Sequence, residues 1–92
     1  MGKRRSLSSK EEPFVRLGLM IALMRRLRGL SQEDLAKRAG ISRSHLSAIE
    51  APGIDRGFSV EVLYRIAEAL DMKPAELLEQ AARLDELAGT RS

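Results

Sequence analysis

Between Ile41 and Glu50 the chain reads ISRSHLSAIE, which sets one long hydrogen-bonding cation, Arg43, among the small side chains of Ser44, Ser47 and Ala48. Wound at about 100° per residue, these four share one side of a helix, and Leu46 and Ile49 occupy the other. An ordinary amphipathic surface helix carries Glu and Lys outward; this one is slim, with a single fork of donors. Small side chains let a helical backbone enter the major groove of a duplex, and an arginine fork matches the paired acceptors on a guanine edge. The chemistry available to these residues is therefore recognition, with double-stranded DNA as the expected partner. Bond-making chemistry has no comparable set. The chain has no Cys and one His, which excludes disulfides and the usual thiolate zinc sites. No nucleophile–base arrangement surrounds His45, and there is no phosphate-binding glycine loop, so no enzyme activity, metal or cofactor is expected. His45 flanks the apolar side of its helix, where packing and a phosphate contact both suit it.

A recognition surface needs a scaffold that holds it still, and the rest of the sequence supplies helices. Ser31 is a natural N-cap with Asp34 in the capping-box position, starting a short helix that runs to about Ala39. Gly40 allows the left-handed backbone of a sharp bend, which a Cβ would make costlier by about 1 kcal/mol or more. Ala36 is small where the next helix crosses, and Leu35, Ile41, Leu46 and Ile49 point inward. Ser42 caps the helix that ends near Glu50. Upstream, Pro13 suits a first helical turn, and Leu17, Ile21, Met24 and Arg28 form one stripe before the stop at Gly29. Downstream, the loop APGIDRGF at 51–58 is marked by Pro52, Gly53 and Gly57. Ser59 then caps a fourth helix, with Val60, Leu63, Ile66, Ala67 and Leu70 at helical spacing. Pro74 opens a fifth, with Leu77, Leu78, Ala81, Leu84 and Ala88 on its apolar side and Gly89 at its end. No segment alternates as a strand does. The expected fold class is all-α: one domain of five helices over 13–89, a basic arm at 1–12 and a tail at 90–92.

Charge is unevenly spread. Residues 1–60 carry 12 Lys/Arg against 6 Asp/Glu, whereas residues 61–92 carry 4 against 7. Such a division suits one face turned toward a polyanion and another kept away from it. Lys3, Arg4 and Arg5 in the arm either enter a minor groove or add non-specific attraction. No run is long and apolar enough for a bilayer, and the basic N-terminus lacks the apolar core of a secretory signal. A cytoplasmic protein with no membrane partner is expected.

Residues 18–78 resemble the helix-turn-helix family of phage repressors, Cro proteins and bacterial xenobiotic-response-element regulators. The resemblance lies in GLMIALMRRLRGLSQEDLAKRAGISRSHLSAIE and SVEVLYRIAEALDMKPAEL. It implies a phage-repressor-like, five-helix DNA-binding domain with its helix-turn-helix at 31–50, here with an extended C-terminal helix. It also implies a transcriptional regulator, by default a repressor, that docks its third helix in the major groove of a palindromic operator as a twofold dimer. Position by position, it assigns base contacts to Arg43, Ser44, Ser47 and Ala48, a phosphate contact to Gln32, and an internal ion pair to Arg25 and Glu50. Ser42, His45, Lys37 and Arg56 are further phosphate candidates, although a solvated charge explains Lys37 and Arg56 equally well. The chain departs from the family after Glu50. There Ala51-Pro52-Gly53 begins a longer loop, and Phe58 stands where relatives commonly carry a proline before the capping serine.

Leu19, Met20, Leu23 and Leu27 form a second stripe on the first helix, away from Leu17, Ile21 and Met24. A helix apolar around most of its circumference is buried on two sides. Either the arm or the fifth helix covers this stripe, or it is a subunit interface to which Leu84 and Leu87 contribute. A homodimer is expected. The alternative is an antitoxin or adaptor that holds a toxin or other protein through the same face and the C-terminal helix, with autoregulatory DNA binding. Contact with polymerase, giving activation, also stays open.

Overall fold

The chain turns through α1 (Glu12–Leu27), α2 (Gln32–Ala39), α3 (Arg43–Glu50), α4 (Val60–Ala69) and α5 (Pro74–Gly89). The structure, a computed structural model, describes residues 12–51 and 59–89, among which there is no strand. The arm, the tail, Arg56 with its loop, and the side chain of Leu87 lie outside the described residues.

Serine sets three of the helix starts. The hydroxyls of Ser31, Ser42 and Ser59 accept from the backbone N–H of Asp34, His45 and Val62 at 2.9, 3.0 and 3.1 Å. Each satisfies a donor that the first helical turn leaves without an internal partner, which contributes about 1 kcal/mol. At α2 the bond is reciprocal, because the Ser31 N–H donates to Asp34 Oδ2 at 3.0 Å. The shorter aspartate therefore closes the capping box that a glutamate usually closes. Gly40 ends α2 at φ 73°, and the following N–H of Ile41 reaches back to the Ala36 carbonyl at 3.0 Å. That left-handed residue turns the chain from α2 into α3.

Each helix or its cap commits at least one side chain to a common center: Ile21, Leu35, Leu46, Ile66, Leu70 and Leu77 are fully buried. Burying an aliphatic side chain of this size is worth about 1.5–3 kcal/mol. α1 packs on α5 and α3, α2 on α4 and α3, and α4 on α5. The α1–α3 approach is unusually close. A Cβ built on Gly18 would lie 2.1 Å from the Ile49 carbonyl oxygen, so only glycine lets these two backbones meet.

Several sequence expectations are corrected by the packing. Met20 is 4% exposed and belongs to the core rather than to a free second stripe. α1 packs against both α3 and α5, so it has neighbours on more than one side. Leu84 also packs against the core. Leu19, Leu23 and Leu27 remain exposed at 40%, 41% and 68%. Val60 and Leu78 fit the helical spacing but are exposed. Arg28 does not extend the α1 core stripe; it is exposed and donates to the Met24 carbonyl at 3.4 Å. Among the described residues, no helix is long and apolar enough to cross a membrane.

Candidate nucleic-acid interface

α3 divides its faces sharply at its N-terminal end. Leu46, Ile49 and Glu50 are buried, while Ser42, Arg43, Ser44 and His45 are exposed. Ser47 and Ala48 are half-buried, because the C-terminal half of α3 lies against α1 where Gly18 meets Ile49. The first turn thus stands furthest clear of the body, with Arg43 at its head. The exposure of His45 removes the packing role and leaves the outward one. Ser42 spends its oxygen on the His45 N–H but keeps a hydroxyl proton to donate.

Behind α3 lies a buried polar network. Arg25 Nε donates to Glu50 Oε2 at 2.8 Å, and Arg25 Nη2 to Glu50 Oε1 at 3.0 Å. The third guanidinium arm, Nη1, donates to the Leu30 carbonyl at 2.8 Å. Arg25 is 8% and Glu50 6% exposed. Such charges persist in a protein interior only when paired and hydrogen-bonded, and the two-pronged geometry supplies both conditions. The pair ties the last turn of α1 to the last residue of α3. Gln32, the first residue of α2, joins it by donating from Nε2 to Glu50 Oε1 at 3.0 Å.

In front of this network is a shallow hollow of about 670 Å³ lined by Arg25, Arg26, Ser31, Gln32, Glu33 and Arg43. It combines the start of α2, whose N–H groups and dipole favour anions, with Arg26 and Arg43 against the carboxylate of Glu33; the charge of Arg25 is already answered by Glu50. The structure therefore brings together Gln32 and Arg43 from the expected contact residues, with the Arg25–Glu50 pair behind them. Lys37 is exposed in the last turn of α2 and does not line the hollow. Arg26 is a member that sequence reasoning passed over. Its signal was its place beside Arg25, one helical step around from a residue whose role was assigned inward.

Comparison with known proteins agrees with this geometry. The sequence profile of the helix-turn-helix family matches residues 21–77. An uncharacterized HTH-type transcriptional regulator, y4dJ of Sinorhizobium fredii, is 37% identical over 62 residues, covering 67% of this chain and 78% of that protein. The restriction-modification controller protein C.AhdI from Aeromonas hydrophila superposes with a TM-score of 0.64 at 38% identity, covering 70% of this chain and 94% of the other. The clp gene regulator ClgR from Corynebacterium glutamicum superposes with a TM-score of 0.78 at 26% identity, covering 86% and 82%.

Proposed function

The chain belongs to the helix-turn-helix family and is a DNA-binding transcriptional regulator, and from that premise we propose that it represses by seating α3 in the major groove of a palindromic operator as a homodimer. The observation that carries this is the exposed first turn of α3, Arg43 above small side chains, standing beside an arginine-lined hollow. Arg43 pairs with guanine O6 and N7, an interaction worth about 1–3 kcal/mol of discrimination. Ser44 and Ser47 hydrogen-bond base edges, and the Ala48 methyl meets a thymine methyl. Gln32, Ser42 and His45 hold phosphates around this helix, joined by Arg26; Lys37 reaches the backbone from the end of α2, and Arg56 from the loop beyond α3. Phosphate contacts fix register while base contacts read sequence. Two such helices about 34 Å apart would read successive major grooves on one side of the duplex.

The exposed leucines of α1, Leu19, Leu23 and Leu27, are the surface through which two copies pair. Occupancy alone then blocks transcription, with no catalytic step and no cofactor, in the cytoplasm where the operator lies. Selection of bound duplexes from a random pool tests the proposal. The expected product is a site with twofold symmetry, and Arg43→Ala should relax preference at one base position per half-site. Equal weakening on every sequence would contradict the base-reading role of Arg43. Asymmetric sites bound by one copy would contradict the dimer.

A further inference from the structure

Glu50 does more than neutralise Arg25. Its Oε1 accepts from two donors at once, Arg25 Nη2 and Gln32 Nε2, each at 3.0 Å. We propose that Glu50 is a positioning residue for DNA binding, which locks the Gln32 amide so that one Nε2 hydrogen is held inward and the other is presented to a DNA phosphate at the hollow. This rests on the phosphate contact proposed above for Gln32 and supplies its mechanism.

The argument begins with what each group can do. An ionised carboxylate has acceptors only, whereas a glutamine amide carries donors at one end and an acceptor at the other. Of the two amide ends, only Nε2 can face Glu50; the flipped arrangement would set Gln32 Oε1 against a carboxylate oxygen. A glutamine free to rotate at a helix start would offer an incoming phosphate its repelling carbonyl as readily as its amide. Glu50 removes that choice before DNA arrives. A carboxylate placed behind an anion site would ordinarily oppose binding, but here both of its oxygens are met by Arg25 and it is 6% exposed. Its charge is answered within the protein, and what faces outward is the oriented N–H. The bond also joins the last residue of α3 to the first of α2. The grip on the phosphate is therefore set only when the recognition helix is in its place.

The test is a double-mutant cycle on the full chain, using a duplex that the wild-type chain has selected from a random pool. Gln32→Ala is expected to weaken binding about tenfold or more, the usual worth of one hydrogen bond to a charged group. Glu50→Gln, which can turn a donor toward Gln32, should weaken binding by a similar factor alone and add little in the Gln32→Ala background. Losses that multiply independently would overturn the positioning role, since a purely structural effect of Glu50 does not depend on residue 32. Wild-type affinity in Gln32→Ala alone would overturn the phosphate contact, and the inference with it. A second measurement needs no variant and stands even if Glu50→Gln fails to fold. Hydrogen exchange of the Gln32 side-chain amide, followed by NMR, should show one Nε2 hydrogen protected in the free chain and both protected on the duplex. Equal, fast exchange of both hydrogens in the free chain would overturn the proposal.

Discussion

A carboxylate buried as deeply as Glu50 is tolerated in the interior because a partner meets both of its oxygens. Removing Arg25 strands that charge and also orphans the Leu30 carbonyl. Breaking a buried pair from one side costs about 3–5 kcal/mol, so Arg25→Ala should lower the urea-unfolding free energy by that amount. Arg25→Lys keeps the charge but cannot span both carboxylate oxygens and the carbonyl together, and should fall between. A loss below about 1 kcal/mol for Arg25→Ala would mean that the pair acts like a surface bridge. Asp34 makes a different prediction. The Ser31 backbone N–H chiefly, then the Ser31 hydroxyl, hold its carboxyl below the ordinary value of 3.8, helped by Arg38 and Lys37 against slight desolvation. A depressed folded-state value stabilises the native chain at pH above the unfolded value. That contribution fades as pH falls from there through the lower folded value. Asp34→Asn should therefore reduce stability near neutrality and flatten the decline of stability below about pH 4. An unchanged acid limb would show that the capping carboxylate is not coupled to folding.

Between helices, the sharpest constraint is the glycine at the α1–α3 crossing. Gly18→Ala puts a methyl where the Ile49 carbonyl already sits. Overpacking of this kind costs about 1–3 kcal/mol, and relief requires α1 and α3 to separate. Gly29 is the control: a Cβ there meets nothing within 4 Å, but its φ is 70°, so Gly29→Ala should cost about 1–2 kcal/mol from backbone conformation alone. Both variants should lower the thermal midpoint, but Gly18→Ala alone should also weaken DNA binding, because it displaces α3. Equal DNA affinity in the two variants would argue against that coupling. This contrast also marks what sequence could reveal. Serine caps and the Gly40 bend act within a few residues of themselves, so they are legible locally. The face of α3 is legible too, because Arg43, Ser44, Leu46 and Ile49 sort by helical angle. Gly18 is not, because its partner lies on another helix and glycine inside a helix otherwise reads only as a weak former. Met20 and Leu78 exchanged places relative to expectation for the same reason. Spacing says which side of a helix a residue occupies, but only packing says which sides have neighbours. The Arg25–Glu50 pair was supplied by resemblance; the Gln32–Glu50 bond had no sequence signal beyond two polar residues at the ends of adjacent helices.

Taken as a whole, the molecule shows two distinct surfaces: Arg26 and Arg43 beside the starts of α2 and α3, and an apolar strip along the exposed part of α1. Leu19, Leu23 and Leu27 are spaced by four residues, so they rise along one line of the helix. They stay exposed although Met20, on the same helix, is buried. A second copy presenting the same strip, as proposed, would bury both sets by a twofold operation. Leu23, at the middle of the strip, is the decisive position. Leu23→Glu introduces a charge at a site that is 41% exposed in the single chain, so the fold should survive with its helical content unchanged. In a pair related by twofold symmetry, the two carboxylates would be buried close together. Sedimentation should then report a dimer for the wild type and a monomer for Leu23→Glu. On DNA, the variant should retain wild-type affinity for a single half-site and lose the tight binding to two half-sites, since linking two binding events accounts for that gain. The salt dependence should fall in step: each phosphate contact contributes a slope of about 0.9 in log K against log salt, so binding one copy instead of two should halve it. A variant that remains dimeric, with full two-site affinity and an unchanged slope, would move the pairing surface away from α1.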